Sequence, residues 1–379
     1  MSRGRILVLV SNDLTYDQRV RKTCATLMAA GYEPVLIGRR MNQDAPETID
    51  RPYPTERLWL PALDGPRFYW AFQQALFEAL SRWQAQGGVA AVWANDLDTL
   101  WPAVRAARRW GWQIAYDSHE WFTEAEGLKG KPLRKAAWRL WEWRCFRHLD
   151  RMITVNEAIA EAYRKQGLMV EVVPNVPERV AEAADPMPRE ELGWPTDKKV
   201  MLMQGAFMDR DRGALDAVRA LVHLPEVHLA LIGAGPEHAA AMGVAEHWGV
   251  ADRLHVHHRK PFDVLRRCTA AADIGLSLDR PTVDNFRFSL PNKLFDYLHA
   301  GLPVVCSDLP VAGRFVKEEG LGQVAVFSED ETALVQNVAS AVLETLSSPP
   351  KEDHLSKVAA RHHWGAHETK LLGALHWVR

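Results

Sequence analysis

The sequence predicts an α/β protein with two Rossmann-like domains, each built on a parallel sheet that helices cover. Short apolar runs alternate with helix-length stretches along most of the chain, which is typical of parallel strands joined by crossover helices. The chain has 379 residues, more than one hydrophobic core usually organises, and 47% of them are hydrophobic, as in a folded globular protein. A stretch rich in proline, alanine and acids separates two such series.

This pattern predicts a first domain at residues 1–176, a linker at 177–199, a second domain at 200–360 and a terminal segment at 361–379. In the first domain we expect helices at 18–30, with Asp17 as N-cap, and at 99–109 and 157–166, and strands at 6–10, 35–37, 90–93, 114–116, 152–155 and 170–173. In the second domain we expect helices at 214–221, 293–300 and 332–346, and strands at 200–204, 227–232, 254–257, 272–278, 304–306 and 324–327. Since open parallel sheets bind ligands at the carboxyl ends of their strands, the two sheets are expected to face a central ligand cleft.

Composition excludes several classes of function. The first apolar run, residues 6–11, is too short for a signal-peptide core or a membrane span, and no later run reaches spanning length. The four cysteines lie far apart, which favours free thiols in a reducing cytoplasm, so we expect a cytoplasmic protein. The formal net charge of −2 lacks the basic excess of a nucleic-acid binder.

Two glycine-containing segments of the second half are candidate ligand sites. Gly233 and Gly235 follow a predicted strand, where glycine lets the backbone approach a ligand closely, although such turns also arise for purely structural reasons. Further on, Ser289 or Pro291 opens a helix that Gly301 closes. The free amides of the first helical turn form a natural anion site. The expected amide site is Ser289, Leu290, Pro291 and Asn292.

The stretch 292–305 resembles the nucleotide-sugar-binding helix of retaining GT-B glycosyltransferases of family four. That family places an acidic residue five positions before the glycine of a Gly-x-Pro-Val-Val element, and Asp296 and Gly301 have this spacing. The resemblance implies that Asp296 contacts the donor ribose and that Lys293 faces the phosphates. A second family glutamate, eight residues before the first, is replaced by Phe288.

Two other segments resemble the same family. Gly205 ends a strand and the run 209–213 follows, similar to the family's element whose cation neutralises the donor diphosphate. The resemblance implies Arg212 for that role, with Arg210 second, because a guanidinium binds phosphate through two parallel bonds. Solvated loop arginines are the structural alternative.

In the first half, the segment 12–21 is similar to the family's opening loop and helix, which frame the acceptor side. His119, within Asp117-Ser118-His119-Glu120, matches the family's active-site histidine near the donor sugar. The expected acceptor-side residues are Asp13, Asp17, Arg19, Asn95 and Asp96. The final stretch, 364–378, resembles the family's terminal helix that crosses back onto the first domain.

No metal and no other cofactor is expected. His363 and His367 have the i, i+4 spacing of a zinc pair and His255, His257 and His258 cluster, but neither group has an evident carboxylate partner. The resemblance implies that basic side chains and helix dipoles neutralise the diphosphate instead.

Residues 129–147 mix cations with tryptophan and phenylalanine at roughly helical spacing. A basic amphipathic helix of this kind can lie in a membrane interface, which makes peripheral contact with the inner face of the membrane one interpretation. The alternative is a helix that packs its apolar stripe on the domain. The apolar side is predicted to hold Leu133, Ala137, Leu140, Trp141 and Phe146, and the nearby Trp59, Phe68, Tyr69 and Trp70 extend the surface or line an acceptor pocket.

The resemblance therefore implies an enzyme that transfers a hexose-type sugar from a UDP- or GDP-linked donor to a hydroxyl acceptor, with retention. The acceptor is a sugar, a lipid-linked or a small molecule, and the setting is glycan, polysaccharide or glycolipid biosynthesis. Two alternatives stay open: a nucleotide-sugar 2-epimerase, which shares the fold, and a non-catalytic relative that binds a nucleotide-sugar.

Overall fold

The computed structural model describes residues 3–15, 17–60, 65–178 and 184–378. The chain forms two compact units, the first made of Met1–Asn175 together with His367–Arg379 and the second of Val176–Ala366. Each unit contains its own parallel sheet with helices packed on it. This confirms the predicted α/β class with two sheet domains.

The first unit has a sheet in the order β3-β2-β1-β4-β5-β6-β7, with every neighbouring pair parallel. Its strands β1 and β4 are almost wholly apolar because they lie inside a sheet that is covered on both faces. Its elements are β1 Arg5–Leu9, α1 Gln18–Ala29, β2 Glu33–Arg39, β3 Thr55–Leu58, α2 Gly65–Gln86, β4 Val89–Asn95, α3 Leu97–Trp110, β5 Gln113–Ser118, α4 Pro132–Phe146, β6 Arg151–Thr154, α5 Glu157–Arg164 and β7 Met169–Val172.

The second unit has a sheet in the order β10-β9-β8-β11-β12-β13, also parallel throughout. One apolar cluster packs α6, α7 and α12 on the sheet, and a second packs α10 and α13. Its elements are β8 Lys199–Gly205, α6 Ala214–Ala220, β9 Val227–Gly233, α7 Pro236–His247, β10 Leu254–His258, α8 Phe262–Ala270, β11 Ile274–Ser277, α9 Asp284–Arg287, α10 Asn292–His299, β12 Val304–Ser307, α11 Ala312–Glu318, β13 Gly322–Ala325, α12 Glu331–Ser347 and α13 Glu352–Ala359.

The segment that the sequence predicts as a linker, 177–199, is part of the second unit wherever the structure describes it. Leu192 and Trp194 are buried in that unit's core, and Arg189 forms an ion pair of 2.7 Å with Asp273. The predicted linker segment therefore packs in the second unit through anchors such as Leu192 and Trp194, although it has no apolar period.

The predicted terminal helix, 364–378, is also corrected. Trp364 belongs to the second unit, where its N–H donates to the carbonyl of Pro177. The part of this segment that belongs to the first unit contains one short α-helix, α14 at Glu368–Leu372. The short strand β14, His376–Trp377, follows and pairs antiparallel with β5. Gly373, which follows α14 directly, is a poor helix former and ends the helix early.

Candidate active site

Two predicted phosphate-binding cations of the second unit converge on one carboxylate. Arg212 lies in the turn after β8, Lys293 in the first turn of α10, and Asp279 just beyond the end of β11. The Arg212 Nη1 donates to Asp279 Oδ1 at 3.1 Å, and the Lys293 Nζ lies 3.5 Å from the same oxygen. Asp279 is only 1% exposed. No motif marks Asp279, and an acid directly after a buried strand was the one signal that could have found it.

The cluster has a net charge of about +1 when its three groups are ionised. Burial opposes ionisation of Asp279, but Lys293 and Arg212 outweigh it and hold the pKa of that carboxyl below its ordinary value. Burial also lowers the pKa of Lys293, against the attraction of Asp279. Arg212 remains about one-third exposed, with its guanidinium 4.5 Å from the ring centre of Phe286. The arrangement suits an anion that approaches from the Arg212 side.

Two of the four predicted amide positions at the start of α10, Ser289 and Pro291, have no free N–H group. The N–H of Ser289 donates to the carbonyl of Phe286, and Pro291, the N-cap, has no N–H. In a helix that begins at Asn292, the first N–H groups have no acceptor within the helix. Asn292 and Lys293 therefore supply the helix amides, next to the Lys293 ammonium.

Asp296, one turn further into α10, is half-buried and accepts a hydrogen bond of 3.2 Å from Gln204 Nε2. Gln204 in turn accepts from the Thr269 hydroxyl at 2.8 Å. These three side chains line a small cavity of about 30 Å³ together with Phe262 and Leu265. Asp296 is thus oriented by Gln204 and faces a partly apolar recess.

The glycine turn after β9 is explained by packing within the second unit. A Cβ on Gly233 would lie 2.1 Å from the carbonyl oxygen of Gly205, and one on Gly235, whose φ is +123°, would lie 2.6 Å from Met208 N. The N–H of Met208 donates to Ala234 across this contact. Both glycines therefore let the loops after β8 and β9 touch, which favours the structural explanation. Arg210, in the same region, is exposed.

In the first unit, His119 lies at the carboxyl ends of β4 and β5 among three polar side chains. Its Nε2 lies 3.0 Å from Asn95 Oδ1 and 3.4 Å from Asp117 Oδ2, and its Nδ1 lies 3.6 Å from Asp96 Oδ2. The His119 N–H also donates to Asp96 Oδ1 at 2.8 Å. Asp96 has a φ of +59°, a strained conformation for a residue other than glycine, and such strain is concentrated at functional sites.

Charge keeps this imidazole protonated near neutral pH. Burial disfavours its charged form, but Asp96 and Asp117 outweigh burial and raise the pKa of His119 to about 9. Burial raises the pKa of Asp96 to about 7 despite the opposing charge of His119. Burial would also raise the pKa of Asp117, but Arg19 and His119 hold it at about 2. The site can therefore present a cationic hydrogen-bond donor.

Arg19 supports this group from within the protein. Its guanidinium binds Asp117 through two bonds, of 3.0 and 2.7 Å, and donates a third to the carbonyl of Val173 at 2.8 Å. Arg19 is 1% exposed, which leaves no surface for a direct acceptor contact. Asp17 caps α1 by accepting from the N–H of Val20, and Asp13 accepts from Thr15 N in the loop before α1. Of the predicted acceptor-side residues, the structure brings Asn95 and Asp96 to His119.

Two family models match the chain. Residues 16–176 match a glycosyl transferase 4-like domain, and residues 198–344 match the glycosyl transferases group 1. The chain belongs to the group 1 glycosyltransferases with the GT-B fold. Its family activity is the transfer of a sugar from a nucleotide-sugar. No curated protein sequence matches it.

Solved structures resemble this glycosyltransferase over nearly its whole length. Sucrose-phosphate synthase from Thermosynechococcus elongatus superposes with a TM-score of 0.78 at 19% identity, covering 98% of each chain. HepE from Anabaena, solved with UDP and glucose, gives 0.70 at 14% identity, with the same coverage. A UDP-forming α,α-trehalose-phosphate synthase from Burkholderia xenovorans, with glucose-6-phosphate, gives 0.69 at 12% identity over 97% of this chain and 99% of that one.

Helix α4 of the glycosyltransferase packs with a different face from the predicted one. Leu133 and Leu140 point outward, 87% and 65% exposed, and Trp143 is 53% exposed. The inner face holds Trp138, which packs edge-to-face on Tyr69 and Phe122, together with the partly buried Trp141 and the buried Cys145 and Phe146. The predicted apolar side is therefore wrong for Leu133, Ala137 and Leu140, because aromatic residues occur all round the helix and tertiary contacts select among them.

Two cations of α4 are structural. The Lys135 ammonium and the Arg139 guanidinium both bind the buried carboxylate of Glu124, which belongs to the loop that follows His119. Of the nearby aromatic residues, Trp70 is 69% exposed, whereas Phe68 stacks on Phe72. No helix in the described part of the chain is long and apolar enough to cross a membrane.

Among the described residues, no three His, Cys, Asp or Glu side chains lie close enough together to hold a metal ion. His228 and His255 form a pair at 3.1 Å, and Trp194 donates to His257. Metal-independent binding of the donor stays a prediction.

Proposed function

We propose that the glycosyltransferase moves a hexose-type sugar from a UDP- or GDP-linked donor to a hydroxyl acceptor, with retention, in glycan, polysaccharide or glycolipid biosynthesis. The proposal of a nucleotide-sugar donor rests on the Arg212–Asp279–Lys293 cluster at the start of α10. A UDP-linked donor is favoured because one structural relative was solved with UDP and another is a UDP-forming synthase. Retention rests on the family resemblance.

The proposed mechanism depends on charge at the leaving group. As the glycosidic bond breaks, negative charge grows on the departing diphosphate, and prearranged cations that meet this charge lower the barrier. Arg212 and Lys293 take this role, helped by the amides of Asn292 and Lys293, and Asp296 orients the ribose. His119, with Asn95 and Asp96, is assigned to the sugar and the acceptor, and Arg19 acts through Asp117 as a positioning residue.

Nucleoside diphosphate should bind without a divalent metal, because cations and helix amides supply the positive charge. Calorimetry with UDP, GDP, ADP and dTDP, with and without EDTA, measures this directly. We expect UDP or GDP to bind best and the dissociation constant to change by no more than a few-fold on chelation. Loss of binding in EDTA that Mn²⁺ or Mg²⁺ restores would contradict the proposal.

Product analysis separates transfer from epimerisation. Incubation of the donor alone should release free sugar slowly or not at all, whereas a 2-epimerase would convert the donor sugar without any acceptor. Nuclear magnetic resonance of the donor sugar distinguishes these outcomes.

We further propose that α4, a helix of the first unit, docks with its outer face on an anionic membrane surface. Leu133, Leu140 and Trp143 supply exposed apolar contacts, and Arg134, Arg144 and Arg147 flank them with exposed positive charge. Apolar side chains beside cations fit the boundary between acyl chains and anionic headgroups. This docking would bring the enzyme to a lipid-linked acceptor, and it keeps localisation at the inner face of the membrane as part of the proposal.

The variant Arg134→Gln/Arg144→Gln/Arg147→Gln should reduce sedimentation with phosphatidylserine vesicles at low salt. Each basic residue near such a surface contributes about 1 kcal/mol, so the loss of three should reduce partitioning by about 100-fold. Lys135 and Arg139 are left unchanged because they hold Glu124. Arg314→Gln/Lys317→Gln, on exposed positions of α11, is the charge control and should sediment nearly as wild type. Absence of wild-type sedimentation at low salt would contradict membrane docking.

A further inference from the structure

Asp279 is the acid at the centre of the Arg212–Asp279–Lys293 cluster, and no sequence motif marks it. Three separate elements meet at it: the end of β11, the turn after β8 and the start of α10. Both cationic nitrogens approach the same oxygen, Oδ1, while Oδ2 lies 3.4 Å from the Ser277 hydroxyl. A buried carboxylate is a poor partner for a diphosphate, so its function must lie in its effect on the two cations.

We propose that Asp279 is a positioning residue that holds Arg212 and Lys293 together and keeps the Lys293 ammonium charged for the donor diphosphate. The inference rests on the proposed donor site. Two cations that share one oxygen repel each other, and the carboxylate between them compensates this repulsion. With Asp279 in place, the cluster keeps one net positive charge for the incoming anion.

The surroundings of Lys293 explain why its charge needs support. Its side chain is 13% exposed, and the charged groups that act on it are Asp279, Arg212 and the more distant Asp209. Burial and Arg212 lower its pKa, and Asp279 is the main opposing influence. Burial raises the pKa of two neutral groups nearby, Tyr297 and Cys306, and the charge of Asp279 adds to this effect in both.

Asp279→Asn should therefore let Lys293 lose its proton at lower pH. An opposite charge within about 4–6 Å shifts a pKa by about 1–3 units. The alkaline limb of the pH profile of kcat/KM should therefore move to lower pH by a similar amount. The double variant Asp279→Asn/Lys293→Arg should lose this shift, since a guanidinium stays charged throughout. Asp279→Glu keeps the carboxylate and should keep the wild-type limb, while the isosteric Asp279→Asn is the variant most certain to fold.

Amine labelling tests the same point without any donor. Only the neutral amine reacts with an N-hydroxysuccinimide ester, so mass spectrometry of labelled Lys293 across pH reports its titration. The midpoint should fall in Asp279→Asn and stay near wild type in Asp279→Glu. An unchanged midpoint overturns the inference whether or not a nucleoside diphosphate binds. Failure of wild type to bind any nucleoside diphosphate, with the midpoint shifted, overturns the proposed donor site instead.

Discussion

Arg212→Ala should lower kcat by about 100-fold or more, the usual loss when one charge-stabilising donor is removed. The remaining Asp279 and Lys293 would form a neutral pair, so the cluster would lose the net positive charge that meets the diphosphate. An interaction that strengthens only as charge develops affects kcat, whereas one that is equal before and during reaction mainly affects KM. Steady-state kinetics on folded protein measures the two separately.

Two matched variants sharpen this experiment. Arg210→Ala removes an exposed arginine two residues away and should change kcat little. Asp296→Asn removes a ribose contact and should raise KM, with donor binding weakened by about 1.5–3 kcal/mol, as for a hydrogen bond to a charged group. A near-normal kcat for Arg212→Ala, with a large loss in Arg210→Ala, would transfer the phosphate role to Arg210.

The central strands are where sequence predicted the fold best. Strands such as β1, β4 and β8 are buried on both faces, so their apolar runs stand out regardless of context. Helix α2 was missed although Phe72, Leu76 and Leu80 repeat every four residues, because aromatic residues before them obscured the period. The strand β3 has four residues, two of them charged, so its sequence does not show a strand pattern either.

Part of the site was predictable because local segments of the sequence resemble the family. That resemblance pointed to Arg212, Lys293 and Asp296. The role of Asp279 could not be predicted in this way, because it arises from contacts with Arg212, 67 positions earlier, and with Lys293 in a later helix. Gly233 and Gly235 resemble a ligand-binding turn in sequence. The constraint on them is the close approach of Gly205 and Met208, which no local pattern predicts.

The same limit applies to Arg19. Its position in a helix similar to the family's opening segment suggested an acceptor contact, but its partner is Asp117, 98 residues away. His119 lies next to the buried pair Arg19–Asp117, with its Nε2 3.4 Å from the Asp117 carboxylate. A change at Arg19 should therefore act on the stability of the first unit and, through Asp117, on the charge of His119.

Arg19→Met should destabilise the first unit by about 3–5 kcal/mol, the usual consequence of leaving one charge of a buried pair without its partner. The double variant Arg19→Met/Asp117→Asn should recover part of this loss, because it buries no charge at either position. Arg21→Met, on the same helix, is the matched control and should change stability little, since Arg21 is only partly buried. Urea denaturation followed for each variant measures the differences.

The loss of stability in Arg19→Met should also depend on pH, in a direction that follows from the pKa of Asp117. The pKa of Asp117 is about 2 in the folded wild type, against about 3.9 for an unperturbed aspartate. A depressed folded-state pKa stabilises the protein above the unfolded value, and this stabilisation is lost as pH falls through the folded value. The gap between wild type and Arg19→Met should therefore shrink as pH falls from about 5 toward about 2. A gap that stays constant over this range would mean that Arg19 contributes packing rather than charge.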